Sequence, residues 1–560
     1  MTAPDTTPMT VAESWLAQLH AGGVDYVFAN AGTDFPSIVE AFARDRLRLG
    51  EQGGAILPHP ILCAHENTAV SMAHGHTMVS GRAQAAMVHV NVGTANAING
   101  LINAERDHIP LLLAAGMTPM FDEGILGARN LNIHWAQDMF DQAGMVRETV
   151  RGSFELRDPR LASAATERAL ALAHSRPGGP VYMMLPREVL AMPPEPGLVA
   201  GRIAPAPAGY PAPDEVSELM ARLAQASFPV IVTARAGADH AVPALLGQFA
   251  AQIGAPVVEF RPRHLNLDQE HALHGGFEIA PWLDKADLLV VLECDVPWIP
   301  ASKKPRADAQ VVQIGEDPIH SHYPMRGFRS DLSIRASSRG FLRAMLDELG
   351  DDIGETSQVA RCGTLRDAGR AVPDDGRMTM RYVSRCIDAA RAPGSVLVNE
   401  YPLVREVMST RLPGTFYGSS PSGGLGWGVP AALGAKLADP DREVIACVGD
   451  GSYIFCNPIA TLQVAAAERI AILIVVFNNA GWQAVDRATR GMHPGGHAAQ
   501  ANIMPLTRFD PVPEFGPIAE SCGCRGWTVG NPDALPAALK HALDVVRCGV
   551  TAVLDIRCVA

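Results

Sequence analysis

Two short polar clusters, each closing an apolar run, constrain this chain more than any other feature. Gly449-Asp450-Gly451 follows the run Val444 to Val448, and Asn478-Asn479 follows the run Ile470 to Phe477. The stretch between them is long enough for one helix and one parallel strand. A β-α-β unit of this kind puts both clusters at the carboxyl ends of neighbouring strands. That is the edge at which open α/β sheets bind ligands.

The residue types suggest which ligand. Gly451 lets the backbone come close to a phosphate. Asp450 and Asn479 carry hard oxygen donors of the kind that hold Mg²⁺ against a diphosphate. A helix starting after Gly451 would turn its first N–H groups towards the same anion. Gly-Asp-Gly alone is an ordinary turn; its coupling to an Asn pair one helix and one strand later is specific.

At 560 residues the chain exceeds what one hydrophobic core organises, and three domains are expected. A net charge of −13 without a long basic run excludes nucleic acid or an anionic membrane as the main partner. The longest aliphatic run is far too short to span a bilayer. The first residues, MTAPDTTPMTVAESW, have neither the basic nor the apolar segment of a signal peptide. The ten cysteines include no C-x-x-C pair, and the close pair Cys522 and Cys524 has no neighbouring metal-ligating partner. Reduced thiols in a cytoplasmic protein are expected.

Short apolar runs alternate with longer amphipathic stretches, the pattern of α/β domains with doubly wound parallel sheets. Strands are expected at Tyr26 to Ala29, Ala85 to Val90, Leu111 to Ala115 and Val181 to Leu185. A second group is Val230 to Thr233, Pro256 to Phe260, Leu288 to Leu292 and Val311 to Ile314. A third is Val396 to Val398, Val444 to Val448, Ile472 to Phe477 and Ala552 to Ile556. The Pro- and Ala-rich stretch 193–213 and the polar stretch 351–377 read as linkers. They delimit domains at 1–192, 214–350 and 378–560.

The segment from Gly449 to Gly481 resembles the diphosphate-binding motif of the thiamine diphosphate enzymes. The resemblance implies that Asp450, the side chain of Asn479 and the carbonyl of Gly481 ligate Mg²⁺. Gly449, Gly451, Ser452 and Trp482 would complete the cofactor-binding loop. It extends to VFANAGTDFPSIVEAF, ILCAHENTAVSMAHGHTMVSGR and VGTANAINGLINAERDHIPLLLAAG. These are similar to the pyrimidine-binding domain of the pyruvate decarboxylase and acetolactate synthase branch. The His-Glu pair then gives Glu66 the role of activating carboxylate, placed against the aminopyrimidine ring. SSPSGGLGWGVPAALGAKL implies that the carbonyl of Gly423 accepts from the cofactor's amino group and that Leu425 holds the cofactor bent. The three domains are then pyrimidine-binding, central and diphosphate-binding. In this family the Glu-bearing and Mg²⁺-bearing domains of one site come from different subunits. A homodimer is therefore the minimum, and a homotetramer is expected.

The local likeness is to benzoylformate decarboxylases. It places Thr33 at the substrate carboxylate and His89 as a proton-relaying group. Three features depart from that pattern. Asp34 stands where an asparagine is expected, and its carboxylate would repel an anionic substrate unless paired or protonated. Met117 replaces a glutamine beside the cofactor, and Asn399 to Leu403 lacks the hydroxyls that follow the matching Asn-Glu. Asn91, His108, Gln483 and Val485 are further candidates for the pocket lining. The implied activity is decarboxylation of a 2-oxo acid, with carboligation of the product to an aldehyde. Alternatives are an acetolactate synthase-like enzyme, a 2-hydroxyacyl or 2-hydroxyacyl-CoA lyase, and a catalytically silent cofactor-binding relative. The end of the chain soon after its last strand weighs against use of CoA esters. No G-x-G-x-x-G supports FAD in the central domain.

Overall fold

The computed structural model describes residues 10–52, 56–194, 201–350, 358–373 and 376–559. It contains three sheets. The first uses β1 (Tyr26–Ala29), β2 (His59–Leu62), β3 (Gln84–Val88), β4 (Leu111–Met117), β5 (Ser153–Glu155) and β6 (Pro180–Pro186). The second uses β7 (Pro229–Thr233), β8 (Val257–Glu259), β9 (Leu288–Leu292), β10 (Gln310–Gly315) and β11 (Leu332–Arg335). The third uses β12 (Val396–Glu400), β13 (Phe416–Gly418), β14 (Val444–Gly449), β15 (Leu473–Asn478), β16 (Arg525–Val529) and β17 (Ala552–Arg557). Their strand orders are β2-β1-β3-β4-β6-β5, β11-β10-β9-β7-β8 and β13-β12-β14-β15-β17-β16. In each sheet the order reverses near one edge, which creates the crevice typical of doubly wound sheets.

Every strand expected from an apolar run forms. Those not expected (β2, β5, β11, β13 and β16) are the outermost strands of their sheets. One boundary that differs from the sequence reading bears on the site. The run Ala85 to Val90 ends as a strand at Val88, and a helix, Val90–Arg106, begins two residues later. The linker stretch 351–377 also differs, since its described part contains a helix, Gln358–Arg370. Cys362 of this helix is buried in the core built on the second sheet. Residues 195–200 of the first linker stretch and 351–357 and 374–375 of the second lie outside the described residues. No helix among the described residues is long and apolar enough to cross a membrane.

By packing, the chain forms two compact units. One comprises residues up to Ala206 with Ser420–Thr528 and His541–Ile556; the other is built on Pro207–Ser419. In the first unit, the helix Glu66–Ser80 lies against the helix Gly428–Ala438. The two approach so closely that only glycine fits at the crossing. A Cβ at Gly75 would lie 1.9 Å from the carbonyl oxygen of Ala431, and one at Gly434 would lie 2.0 Å from that of Met72. Backbone blocks both positions, so no side-chain rotation relieves the clash. Beside the crossing, His74 is buried and its imidazole meets Trp427 edge-on at 5.3 Å. Burial pushes the His74 pKa down to about 3, so the ring packs as a neutral group.

Gly434→Val should therefore destabilise the protein by about 2–3 kcal/mol. A thermal melt compared with Gly491→Ala, where a Cβ meets nothing within 4 Å, checks this. Equal melting temperatures would refute the crossing.

Candidate active site

The strand ends of the first unit carry three groups of predicted residues. The first lies after β14 and β15, which pair in parallel with Gly449 opposite Phe477. This register brings the two polar clusters side by side. Asp450 is buried and ties them together. Its Oδ1 accepts the N–H of Gly451 at 2.8 Å, and its Oδ2 accepts the N–H of Gly481 at 3.0 Å. Burial raises the Asp450 pKa, while backbone N–H groups of the two loops work in the opposite direction. A desolvated carboxylate held by neutral donors is suited to a hard cation.

The two asparagines have different tasks. Asn478 is buried; its Nδ2 donates to Asp555 at 2.7 Å and its Oδ1 accepts the Ala480 N–H at 3.0 Å. Asn479 sits half-exposed just past the strand end. At Gly481 a Cβ would lie 2.0 Å from the carbonyl oxygen of Thr507, so only glycine fits. Its own carbonyl accepts the Gln483 N–H at 3.1 Å, which leaves one lone pair.

Gly451 has a packing reason to lack a side chain. A Cβ there would strike the Trp482 ring at 2.2 Å. The missing side chain makes room for this indole, which also meets Phe455 at 5.6 Å and Phe509 at 5.1 Å edge-on. Ser452 is buried in the same turn. The expected helix is also shorter. Asp450–Phe455 ends after six residues, and a second helix, Pro458–Ala467, starts after Asn457 turns the chain at φ +50°.

The second group is the glycine-rich loop before Gly428. Three asparagines that the sequence reading missed hold it. Asn103 Nδ2 donates to the Gly424 carbonyl at 2.8 Å, Asn99 to that of Leu425 at 3.0 Å, and Asn67 to that of Gly426 at 3.3 Å. Gly423 turns the loop at φ +70°. Asn67 follows Glu66, the first residue of its helix. Glu66 is 8% exposed, and its Oε2 accepts from Asn96 Nδ2 at 3.1 Å.

The third group surrounds a small cleft after β1, β3, β4 and β6, four adjacent strands. Thr33 and Asp34 follow β1, His89 follows β3, Met117 ends β4 and Arg187 follows β6. Asp34 is only 2% exposed. The pairing that the sequence left open is present: Asp34 Oδ1 lies 2.6 Å from His89 Nδ1, and its Oδ2 accepts the Val90 N–H at 3.3 Å. The hydrogen bond to Asp34 raises the His89 pKa, and partial burial opposes it. Arg187 is buried as well. Its guanidinium donates to the carbonyls of Thr33, Gly127 and Ala128 and to Asn130 Oδ1. All four acceptors are neutral, so the guanidinium charge is not offset by its own hydrogen-bond partners. A signal for Arg187 existed in the sequence, as the residue leaving a fully buried strand at its carboxyl end.

His108 does not join the cleft. It follows the far end of the helix Val90–Arg106, whose 17 residues span about 25 Å. No hydrogen bond links Glu66 to Asp450, Asn479 or Gly481 among the described residues.

Comparison with known proteins gives a consistent picture. Residues 9–145 match the thiamine pyrophosphate enzyme N-terminal TPP-binding domain, and residues 401–556 match the C-terminal TPP-binding domain. The chain is 26% identical to benzoylformate decarboxylase of Pseudomonas aeruginosa, over 94% of this chain and 96% of that protein. It is 25% identical to sulfoacetaldehyde acetyltransferase of Rhodobacter capsulatus, over 98% and 94%. Its fold matches the thiamine diphosphate-dependent 4-hydroxybenzoylformate decarboxylase of Rhodococcus jostii with a TM-score of 0.80 at 23% identity, covering 98% of this chain and 99% of that one.

The division of labour between the asparagines is measurable without any ligand. Asn478→Ala should cost about 1–3 kcal/mol of stability, because Asp555 and the Ala480 N–H lose a buried partner. Asn479→Ala should stay within about 0.5 kcal/mol of wild type. Equal effects in chemical denaturation would contradict the assignment.

Proposed function

Because the chain belongs to the thiamine pyrophosphate enzyme family, we propose that it is a thiamine diphosphate- and Mg²⁺-dependent lyase that decarboxylates a 2-oxo acid and passes part of the product to an aldehyde acceptor. The observation that carries the reading is the cleft of Thr33, His89 and Arg187. It gathers a hydroxyl, a histidine with a raised pKa and a guanidinium bonded only to neutral groups. Such a set suits a carboxylate. Met117 on the same wall suits an apolar substituent beside it.

Asp450, Asn479 and the Gly481 carbonyl would hold Mg²⁺. The buried Asp450 carboxylate fits a cation, and oxygen donors suit this metal. The Gly423 carbonyl and the Leu425 side chain would seat the aminopyrimidine and the bend of the cofactor. When bound, the cofactor supplies the carbanion chemistry that breaks a bond next to a carbonyl. Glu66 holds a proton against the pyrimidine ring nitrogen, and its low exposure keeps water away from that contact. His89 and Arg187 orient the substrate carboxylate, and Thr33 donates to it.

Among the described residues no hydrogen bond links Glu66 to the Asp450 loop, which agrees with a site completed by a second copy. Exposed apolar side chains at Phe121, Leu126, Trp135, Phe140, Met492 and Leu506 would gain from being covered in such an assembly. On this basis we propose a homodimer or homotetramer.

With Mg²⁺ and thiamine diphosphate, a panel of 2-oxo acids should yield CO₂, with greatest turnover for aryl or branched apolar side chains. Acyl transfer without CO₂ release would replace this reading with one nearer the acetyltransferase relatives. Glu66→Gln and Asp450→Ala should each abolish turnover. Co-expressed, they should recover about a quarter of wild-type activity, because mixed dimers regain one intact site. No recovery would place both residues of a site in one chain.

A further inference from the structure

Asp34 has a stronger claim on His89 than a chance contact. Three features hold the pair in place. His89 packs on Gly32, where a Cβ would strike the imidazole at 2.2 Å. Asp34 packs on Gly116, where a Cβ would lie 1.8 Å from Asp34 Oδ2. Val90, a β-branched residue, is held at φ +34° with its N–H on Asp34. Backbone strain at such a residue costs about 1–3 kcal/mol and persists where the surroundings enforce it. The turn between β3 and the following helix is therefore bent to keep His89 and Val90 N–H on one carboxylate.

The other imidazole nitrogen faces the cleft. His89 Nε2 lies 3.4 Å from Gln137 Nε2, and Gln137 Oε1 is buried without a hydrogen-bond partner. A neutral imidazole with its proton on Nδ1 accepts from the amide nitrogen at Nε2. A cationic imidazole needs an acceptor there, and rotating the amide by half a turn offers Oε1. The same side chain thus serves both protonation states. The charged groups that surround His89 are Asp34 after β1, Glu66 on its helix, Arg187 after β6, and His134 on the segment that carries Gln137.

We propose that Asp34 is a positioning residue that holds His89 as the cation, with Nδ1–H on its own carboxylate, so that Nε2–H faces the cleft as the donor to the substrate carboxylate, and that the Gln137 amide is the partner of Nε2 when the ring is neutral and no substrate is bound. The carboxylate that looked hostile to an anionic substrate thus creates the donor that recruits it. This rests on the reading of the cleft as the substrate pocket. A carboxylate accepting from Nδ1 stabilises the imidazolium, which is the form that carries a donor at both ring nitrogens.

The sign of the pH effect follows from the pairing. Asp34 favours the cationic imidazole, so removing its charge lowers the His89 pKa. Substrate capture needs Nε2–H and is lost as pH rises through that pKa. In Asp34→Asn the alkaline fall of kcat/KM should move to lower pH, and kcat/KM at pH 7 should drop roughly 100-fold, mostly through KM. Gly116→Ala, which displaces the Asp34 carboxylate, should reproduce the shift. The decisive readout needs no turnover. In protein labelled with ¹⁵N-histidine, with His89→Gln identifying the signal, the His89 titration should move towards acid in Asp34→Asn. A moved titration with an unchanged pH–rate profile would uphold the pairing and overturn the substrate-pocket reading. A His89 titration unmoved by Asp34→Asn would overturn the inference.

Discussion

The crossing of the helices Glu66–Ser80 and Gly428–Ala438 is the contact on which the first unit depends. Gly75 and Gly434 bring the two backbones together without intervening side chains. Glu66 opens the first helix, and the glycine-rich loop from Ser420 leads into the second. The position of a proposed proton-holding carboxylate and that of a proposed cofactor-seating loop are thus set by one packing event. The carboxamides of Asn67, Asn99 and Asn103 then fix the loop by its carbonyls. Close-packed interiors transmit small displacements, so a single methyl group at this crossing would be felt at both ends.

Away from the crossing, buried carboxylates organise the strand ends. Asp450 joins the loops after β14 and β15 through backbone N–H groups. Asp34 joins the loops after β1 and β3 through His89 and the Val90 N–H. Each acts as a staple, and each leaves a specific residue type facing outwards. Asp450 leaves oxygen donors, whereas Asp34 leaves the second imidazole nitrogen of His89 in the same cleft as the Arg187 cation. The central sheet also has charges at its strand ends, but they satisfy one another. Arg263 pairs with Asp295 at 3.2 Å, and Tyr323 donates to Asp295 at 2.6 Å.

The strands legible in the sequence are the buried ones, flanked on both sides except for β8, an edge strand that is buried along its length. Leu288–Leu292 and Leu473–Asn478 are buried along their whole length and read as unbroken apolar runs. Edge strands such as His59–Leu62 and Ser153–Glu155 are mostly exposed or half-exposed, and no run marks them. The Asp450 and Asn479 positions were legible because a motif of fixed spacing carries them. Gln137 and the three loop-holding asparagines were not. Their partners lie far away in sequence, and nothing local distinguishes them from ordinary polar residues.

By itself, the sequence determined the α/β class, the central strands and the two polar clusters after β14 and β15, because apolar periodicity and short-range spacing are local properties. Only the tertiary structure decided which of the paired asparagines turns inward and why Gly451 lacks a side chain. Only it showed that Asp34 is buried against His89 instead of standing as an exposed charge. These outcomes depend on which groups long-range packing brings within hydrogen-bonding distance. The desolvation that gives each contact its strength exists only once the chain has folded.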